Sequence, residues 1–402
     1  MKNTAIAVIG AHYGDEGKGL VVDRLVRDLA QPWVIRFNGG AQAGHTVSLL
    51  HGRRHIFSHF GAGTFAGAPT FLSRFFVSNP LLFLREAHEL EASGVAPRIV
   101  VDPRSPLTTP YEVLLNRSAE RARGNGRHGS CGVGFGETLE RQERGLSITA
   151  ADLNVPDVLR SRLTLLRTTY VPRRLADLGI PIDAELQADL ADPEPVARFV
   201  ELADAFRQRI EIAGIDACQG RPVVFEGAQG LLLDQSLGDF PHVTRSCTGL
   251  PNIVDLAGDL GLPAVEVFYA MRTYITRHGA GPLAGELDSA PYSEATDATN
   301  QPNPFQGHLR FAFADPALSV ATIKRDLARS SRLTIIPSLA VTCLDQVAGP
   351  VSCRDGGGTR EIDPDDFVGH IAGRIAARRV LQSHGPTAET ARFSTVALRA
   401  AA

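Results

Sequence analysis

Ten residues near the N-terminus, Gly10-Ala-His-Tyr-Gly-Asp-Glu-Gly-Lys-Gly19, combine a glycine-rich backbone with two carboxylates and a lysine. They follow an apolar, β-rich run, Thr4–Ile9, and lead into an amphipathic stretch, Leu20–Ala30. A strand, a glycine loop and a helix N-terminus make an anion site, because backbone N–H groups and the helix dipole converge on it. The pattern GxxxxGK[ST] fails here: His12 stands at its first glycine and Gly19 at its Ser/Thr. Asp15 and Glu16 would repel a phosphate unless a metal or a proton transfer needs them. Lysine occurs only at Lys2, Lys18 and Lys324, so Lys18 stands out in an arginine-rich chain.

These residues need a frame. Trp33–Phe37 reads as a second strand, and strand–helix–strand is a βαβ unit, which implies a parallel sheet with sites at the strands' C-terminal ends. The second strand ends in another glycine loop, Asn38-Gly-Gly-Ala-Gln-Ala-Gly-His-Thr46, followed by a predicted hairpin: Thr46–Leu50, a turn at His51–Arg54, then His55–Phe60. Helices are expected at Pro80–Ala92, Tyr111–Arg123, Ala151–Arg162, Pro193–Ala213, Ala317–Arg329 and Pro364–Gln382, the last with Asp363 as N-cap. Strands are expected at Arg98–Asp102, from Pro222 into a glycine turn before Asp234, at Ala264–Ala270 and in the apolar run Leu333–Leu344. The fold class is therefore α/β: a mostly parallel central sheet with helices on both faces, carrying a P-loop-NTPase-like site without a Walker A motif.

The 402 residues are 44% hydrophobic, ample for a large core. A net charge of −3 leaves no electrostatic footprint for nucleic acid. Five scattered cysteines without a CxxC suggest neither a disulfide framework nor a zinc site. No apolar run is long enough to span a bilayer, the first strand leaves no room for a signal peptide, and the cytoplasm is the expected compartment.

Gly14-Asp-Glu-Gly-Lys-Gly19 resembles the start of the adenylosuccinate synthetase family, which joins L-aspartate to the 6-position of IMP using GTP. Gly-Gly-x-x-Ala-Gly-His-Thr at 39–46, Phe225-Glu-Gly-Ala-Gln-Gly230 with Leu232-Leu-Asp234, and Thr276-Arg-His-Gly-Ala-Gly-Pro282 are similar to further family segments. The likeness covers almost the whole chain, which implies a single domain over 1–402 with insertions at about 103–220 and 288–316. It implies Asp15 as the base, His45 as the acid, Lys18 as the cation on the phosphates, and Mg²⁺ held by Asp15 and the Gly44 carbonyl. It assigns Gln42, Ser130, Cys131, Arg144, Gln229 and Thr244 to the IMP site, and Gly14, Glu16, Gly17, Gly19, Thr46, Asp345, Ser383 and Gly385 to GTP. A homodimer is implied, in which an arginine crosses to the neighbour's nucleotide phosphate; Arg144 is the candidate, with Arg141 as the alternative.

The sequence also departs from the family. Ser130 and Cys131 replace threonines, Val133 an arginine, and Cys343 the lysine of the guanine motif. The aspartate loop keeps one arginine, Arg310, with Thr299, Asn300 and Gln306 as weaker contacts. The histidines His55, His128, His242 and His278 read as structural.

The chemistry fits the residues. A purine 6-oxo group leaves poorly, so N1 is deprotonated, O6 attacks a γ-phosphate, and the aspartate amine then displaces phosphate. That needs a carboxylate base, a cation and a donor to developing charge. Each residue also has a plain structural alternative: Asp15 as a helix cap, His45 as a satisfied loop histidine, Gln229 as a turn ligand. Three functional classes follow: the ligase itself, the same chemistry on a modified purine nucleotide or dGMP with ATP as a possible donor, and a non-catalytic nucleotide-binding protein. Retention of Asp15 disfavours the dGMP version, because the phage relatives acting on dGMP lack that base.

Overall fold

The computed structural model describes residues 5–295 and 307–394. Ten strands form the central sheet: β1 (Ala5–Gly10), β2 (Trp33–Arg36), β3 (Thr70–Leu72), β4 (Ile99–Val101), β5 (Glu211–Ile212), β6 (Val223–Gly230), β7 (Ala264–Arg272), β8 (Thr334–Thr342), β9 (Val380–Ser383) and β10 (Ala391–Phe393). Their order is β10-β9-β8-β7-β1-β6-β2-β3-β4-β5. All neighbours run parallel except β10, which closes one edge antiparallel to β9.

Strands buried on both faces read as continuous apolar runs, and β1 and β2 are of this kind. Alternate residues serve two cores. Ile6, Val8 and Val34 face one, with Val22 and Leu25 of helix α1 (Lys18–Val26) and Phe83 of α2 (Pro80–Ala92). Ala7, Ile9, Trp33 and Ile35 face the other, with Ile253, Leu256, Ile323 and Ile371 from three helices on the opposite side. Helices thus cover both faces.

Local signals set the helix starts, Asp363 as expected. Asn79 caps α2 by accepting from Leu82 N at 3.2 Å. Helix α3 (Pro110–Arg123) starts in a Thr109/Glu112 capping box, and Asp363 caps the helix Pro364–Arg374. Three expected helices are shorter. Ala150–Asn154 is a 3₁₀ turn, and the α-helix there runs Pro156–Leu165. The segment read as helix to Ala213 stops at Arg207 and becomes edge strand β5. The last helix ends at Arg374, and Gln382 lies in β9, after Ala376 turns the chain at φ 52°. Helix α4 (Phe135–Glu143), which follows the glycine-rich stretch 124–134, has no counterpart among the expected helices.

Candidate functional site

The loop from β1 to α1 is built around a buried carboxylate. Glu16 Oε1 accepts from the N–H groups of His12 (3.1 Å) and Gly14 (2.8 Å), and Oε2 accepts from Lys18 Nζ at 2.8 Å. Burial pushes the Glu16 carboxyl up, but the Lys18 ammonium, His12 and the Gly14 N–H outweigh it and hold the group below its ordinary range. Small neighbours make room for this carboxylate. A Cβ at Gly230 would stand 2.7 Å from Glu16 Oε1, and one at Gly10 would collide with Glu16 Oε2. Lys18, expected to face phosphate, thus has a partner inside the loop. Asp15 turns at φ 62°, and its carbonyl accepts from Arg272 Nε.

The second loop is clamped to β6. Asn38 donates to Ala228 O at 3.1 Å and accepts from Ala228 N at 2.8 Å. The hairpin His45–Ser48/Arg54–Phe57 follows, as predicted, and lies so close to α1 that a Cβ at Gly19 would stand 2.7 Å from Thr46 O. His45 Nδ1 lies 2.5 Å from Glu226 Oε1, and Glu226 Oε2 accepts from Ala62 N at 3.0 Å. Burial lowers the His45 pKa against the pull of Glu226, so the ring is neutral. Burial pushes Glu226 up, but Arg36 and His45 outweigh it and keep it ionised. The neutral ring therefore donates from Nδ1 and presents Nε2, buried and without a partner.

One cavity of about 860 Å³ gathers these pieces. It is lined by 14–19 of the first loop, Gln42, Gly44, His45 and Thr46 of the second, Gln229, and Ser130, Cys131 and Thr244 from farther along the chain. Gln42 Nε2 and Oε1 and Gln229 Oε1 are buried without partners, like His45 Nε2. Buried polar atoms in proteins are nearly always paired. Orphans from the second loop and a strand end on one cavity wall indicate a polar ligand. The Ser130 loop is held by α3: Asn116 donates to Ser130 Oγ at 2.8 Å and accepts from Gly134 N at 3.2 Å, and Arg117 donates to Gly132 O at 3.1 Å. Burial pushes the Cys131 thiol up to about 11, so it is protonated.

Other expected residues lie elsewhere. Arg144 is not on the cavity wall; it pairs with Glu140 (2.7 Å) and Asp177 (2.6 Å) and is partly exposed. Arg141 is fully buried, bonded to Glu112 (2.7 Å), Leu146 O and Leu107 O, and cannot reach a neighbouring subunit. Arg310 is also off the wall, because Glu286 takes its guanidinium in a forked pair and the carbonyls of Gly279 and Gly281 accept at 3.0 and 2.9 Å. Thr299, Asn300 and Gln306 fall outside the described residues. Asp345 is exposed, in a 3₁₀ turn after β8, and Ser383 ends the adjacent β9, its Oγ donating to Gly385 O at 2.7 Å. The end of β8 reaches the first loop, where Thr342 Oγ1 donates to Glu16 O at 3.1 Å.

Two features escaped the sequence. Glu226 sits inside a recognised motif, but its partner is 181 residues away. Of the histidines read as structural, His128, His242 and His278 line the cavity, while His55 stays in the hairpin near Glu86.

Comparison with known proteins agrees with this geometry. A family model of adenylosuccinate synthetase matches residues 7–303. The adenylosuccinate synthetase of Stenotrophomonas maltophilia is 33% identical over 298 residues, 71% of this chain and 65% of the relative. That of Nitratidesulfovibrio vulgaris is 31% identical over 353 residues, 86% of this chain and 79% of the relative. The match thus spans about 65% of the Stenotrophomonas protein's length. Fully ligated adenylosuccinate synthetase from Plasmodium falciparum superposes with a TM-score of 0.70 at 17% identity, covering 98% of this chain and 100% of that one. Succinoaminodeoxyadenylate synthetase of cyanophage S-2L, bound to dGMP and dATP, gives 0.60 at 16%, covering 98% and 95%. At such identities the superpositions speak for the fold alone. With its sequence matched over most of its length, the chain belongs to the adenylosuccinate synthetase family.

Proposed function

We propose that the chain is a carbon–nitrogen ligase of the adenylosuccinate synthetase type, converting a 6-oxopurine nucleotide, IMP in the first instance, with L-aspartate and GTP to the succinyl-amino product, GDP and phosphate. The observation that carries the reading is the convergence of Asp15, the Glu226-held His45 and the unpartnered amides of Gln42 and Gln229 on one cavity.

In this reading Asp15 takes the N1 proton, and Gln42 and Gln229 hold polar atoms of the acceptor, with Ser130, Cys131 and Thr244 toward its 5′-phosphate. Gly14, Glu16, Gly17, Gly19 and Thr46 cradle the donor phosphates; Asp345, Ser383 and Gly385 belong to the same nucleotide's site. Lys18 offers charge to those phosphates while tethered to Glu16. His45 acts at Nε2. It is neutral as it stands, and a phosphoryl oxygen beside Nε2 together with Glu226 behind Nδ1 would favour its protonated, donating form. Asp15 and Gly44 line the same cavity, and a carboxylate and a backbone carbonyl are hard oxygen donors. Among the described residues no group of three or more His, Cys, Asp or Glu could hold a metal. That donor set fits Mg²⁺, which takes few protein oxygens and would neutralise charge on the transferring phosphate.

A homodimer with Arg144 reaching the neighbour's phosphate belongs to the proposal, and it requires Arg144 to exchange Glu140 and Asp177 for the nucleotide. The substituted Cys343 favours a second reading, the same chemistry with a different acceptor or with ATP. The discriminating test mixes each acceptor nucleotide with GTP or ATP and aspartate and measures phosphate release and product mass. Release with IMP supports the first reading, release with another acceptor alone supports the second, and none from any combination removes both.

A further inference from the structure

His128 and His242 are absent from the chemistry above, yet both rings stand on the cavity wall. Their centroids are 6.1 Å apart with the planes at 75°, an edge-on contact. Among the described residues neither ring makes a hydrogen bond, and His242 Nδ1 is buried without a partner. Their backbone is fixed. His242 N donates to Asp239 O at 2.9 Å, His242 O accepts from Arg277 at 3.1 Å, and Gly129 packs so closely on the next wall that a Cβ there would stand 2.6 Å from Ala280 N.

Two carboxylates face this group, Glu120 toward His128 and Asp239 toward Arg277, and neither bonds a ring of the pair. The arginines lining the cavity are engaged: Arg123 with Glu120 (2.7 Å), Arg174 with Glu137 (2.9 Å), Arg245 with Glu140 and Glu143, and Arg272 with the Asp15 carbonyl and the Tyr274 hydroxyl. Arg277, directly behind His242, differs. Its residue is buried, it donates to three carbonyls, of Ala280, Pro282 and His242, and it lies 4.4 Å from the Tyr13 ring centroid; among the described residues it has no carboxylate partner. A buried cation whose hydrogen bonds all go to neutral acceptors, with Asp239 acting on it only from beyond ion-pair distance, leaves positive potential beside the two donor-capable rings.

We infer that His128 and His242 form an anion subsite, a pair of imidazole donors backed by the Arg277 charge that takes a carboxylate or phosphate oxygen of one substrate. Two sources offer this chemistry: a carboxylate of the amino donor, for which Arg310 is unavailable while Glu286 holds it, and the 5′-phosphate of the acceptor. The kinetic arm of the test rests on the ligase reading, and the binding arm does not.

The kinetic arm compares His242→Phe, which keeps the ring contact, and His128→Leu with the wild-type chain. The expected result is a KM raised about tenfold for one substrate with kcat within about twofold, the scale of losing a hydrogen bond to a charged group. The substrate whose KM moves identifies the source. The binding arm follows the imidazole resonances of ¹³C-histidine-labelled protein while inorganic phosphate or succinate is added, with the variants assigning His128 and His242. A shift of both resonances with either anion supports the subsite even in a chain without ligase activity, in which case the ligase reading alone falls. Folded variants with both KM values within twofold of wild type, or resonances that neither anion moves, overturn it.

Discussion

Glu226 Oε1 stands 2.5 Å from His45 Nδ1, so the middle of a central strand fixes the orientation of a buried ring at the start of a hairpin. The same carboxylate is the counter-charge of Arg36, a buried guanidinium whose Nε and Nη2 have no hydrogen-bond partner.

Glu226→Gln therefore strikes two things together. The Arg36 charge loses the larger of its two carboxylate influences while Glu86 remains, so the loss should fall below the usual cost of breaking a buried pair in contact, about 3–5 kcal/mol. His45 loses the group that selects its tautomer, and kcat should fall about 10–100-fold, as when a positioning carboxylate is removed behind a functional histidine. Chemical denaturation and steady-state kinetics check both. An unchanged kcat would leave Glu226 a purely structural residue.

Asp15→Asn keeps the shape of the turn, because Asn tolerates positive φ almost as well as Asp. If Asp15 is the base, kcat drops by roughly 10²-fold or more while substrate KM values move little. A variant within about threefold of wild type is too active for a lost base and removes Asp15 from the mechanism.

Stability should fall on mild acidification. His12 and His45 are both held neutral by burial, each below the ordinary value of 6.5. Below about pH 6.5 the unfolded chain binds protons that the folded chain refuses, so stability is lost as pH falls through and below that point, by at most about 1.4 kcal/mol per pH unit for each histidine. Glu16 and Glu226, with folded pKa values lowered from 4.5, add stability above that pH and lose it below. Urea titrations at pH 7.5 and 5.5 should show the drop, and His12→Gln should shrink it. A difference of the same size in the variant assigns the slope to other groups.

Arg141 and Arg144 should separate cleanly. Arg141→Met removes the partner of Glu112, buried like itself, and should cost about 3–5 kcal/mol of stability. Arg144→Ala breaks two exposed pairs, worth about 1 kcal/mol or less each. Its effect should fall on the acceptor KM, and only if the dimer brings Arg144 to a phosphate. A large loss of Tm in Arg144→Ala with normal kinetics would reverse these roles.

What could be read from the sequence was local. The first two loops, the hairpin, the start of α2 at Pro80 and the cap at Asp363 are set by neighbours a few residues apart, and each was legible. The end of the last helix was not, because the turn at Ala376 uses neither Gly nor Pro and the apolar pattern runs on into β9. Strand β5 was hidden for a related reason: a two-residue strand, Glu211-Ile212, has no period of its own. The site lost information wherever its logic is long-range. Glu226 behind His45, Glu286 on Arg310, and the His128–His242 contact each join segments that only the folded sheet brings together.

In the proposed reading, the choice of phosphate donor turns on Asp345. Its 3₁₀ turn is tied to the first loop along two routes: Thr342 Oγ1 bonds Glu16 O at 3.1 Å, and Gln346 accepts from the Tyr274 hydroxyl at 2.6 Å, which in turn accepts from Arg272, the donor to the Asp15 carbonyl. A base bound at this turn is thus registered against Asp15. An exposed carboxylate there accepts from guanine N1 and N2, whereas adenine presents an acceptor at N1. A site built to bond a group rejects analogues lacking it by up to about 10⁴-fold. Cys343, turned at φ 62°, supplies no cation over the base, a loss of about 1 kcal/mol by analogy with exposed cation–π contacts. The larger effect decides, so kcat/KM should favour GTP over ATP, and Asp345→Asn should erase most of the preference while leaving ATP turnover nearly unchanged. A wild-type chain that already prefers ATP would mean that Asp345 does not read guanine and that the turn after β8 serves another base.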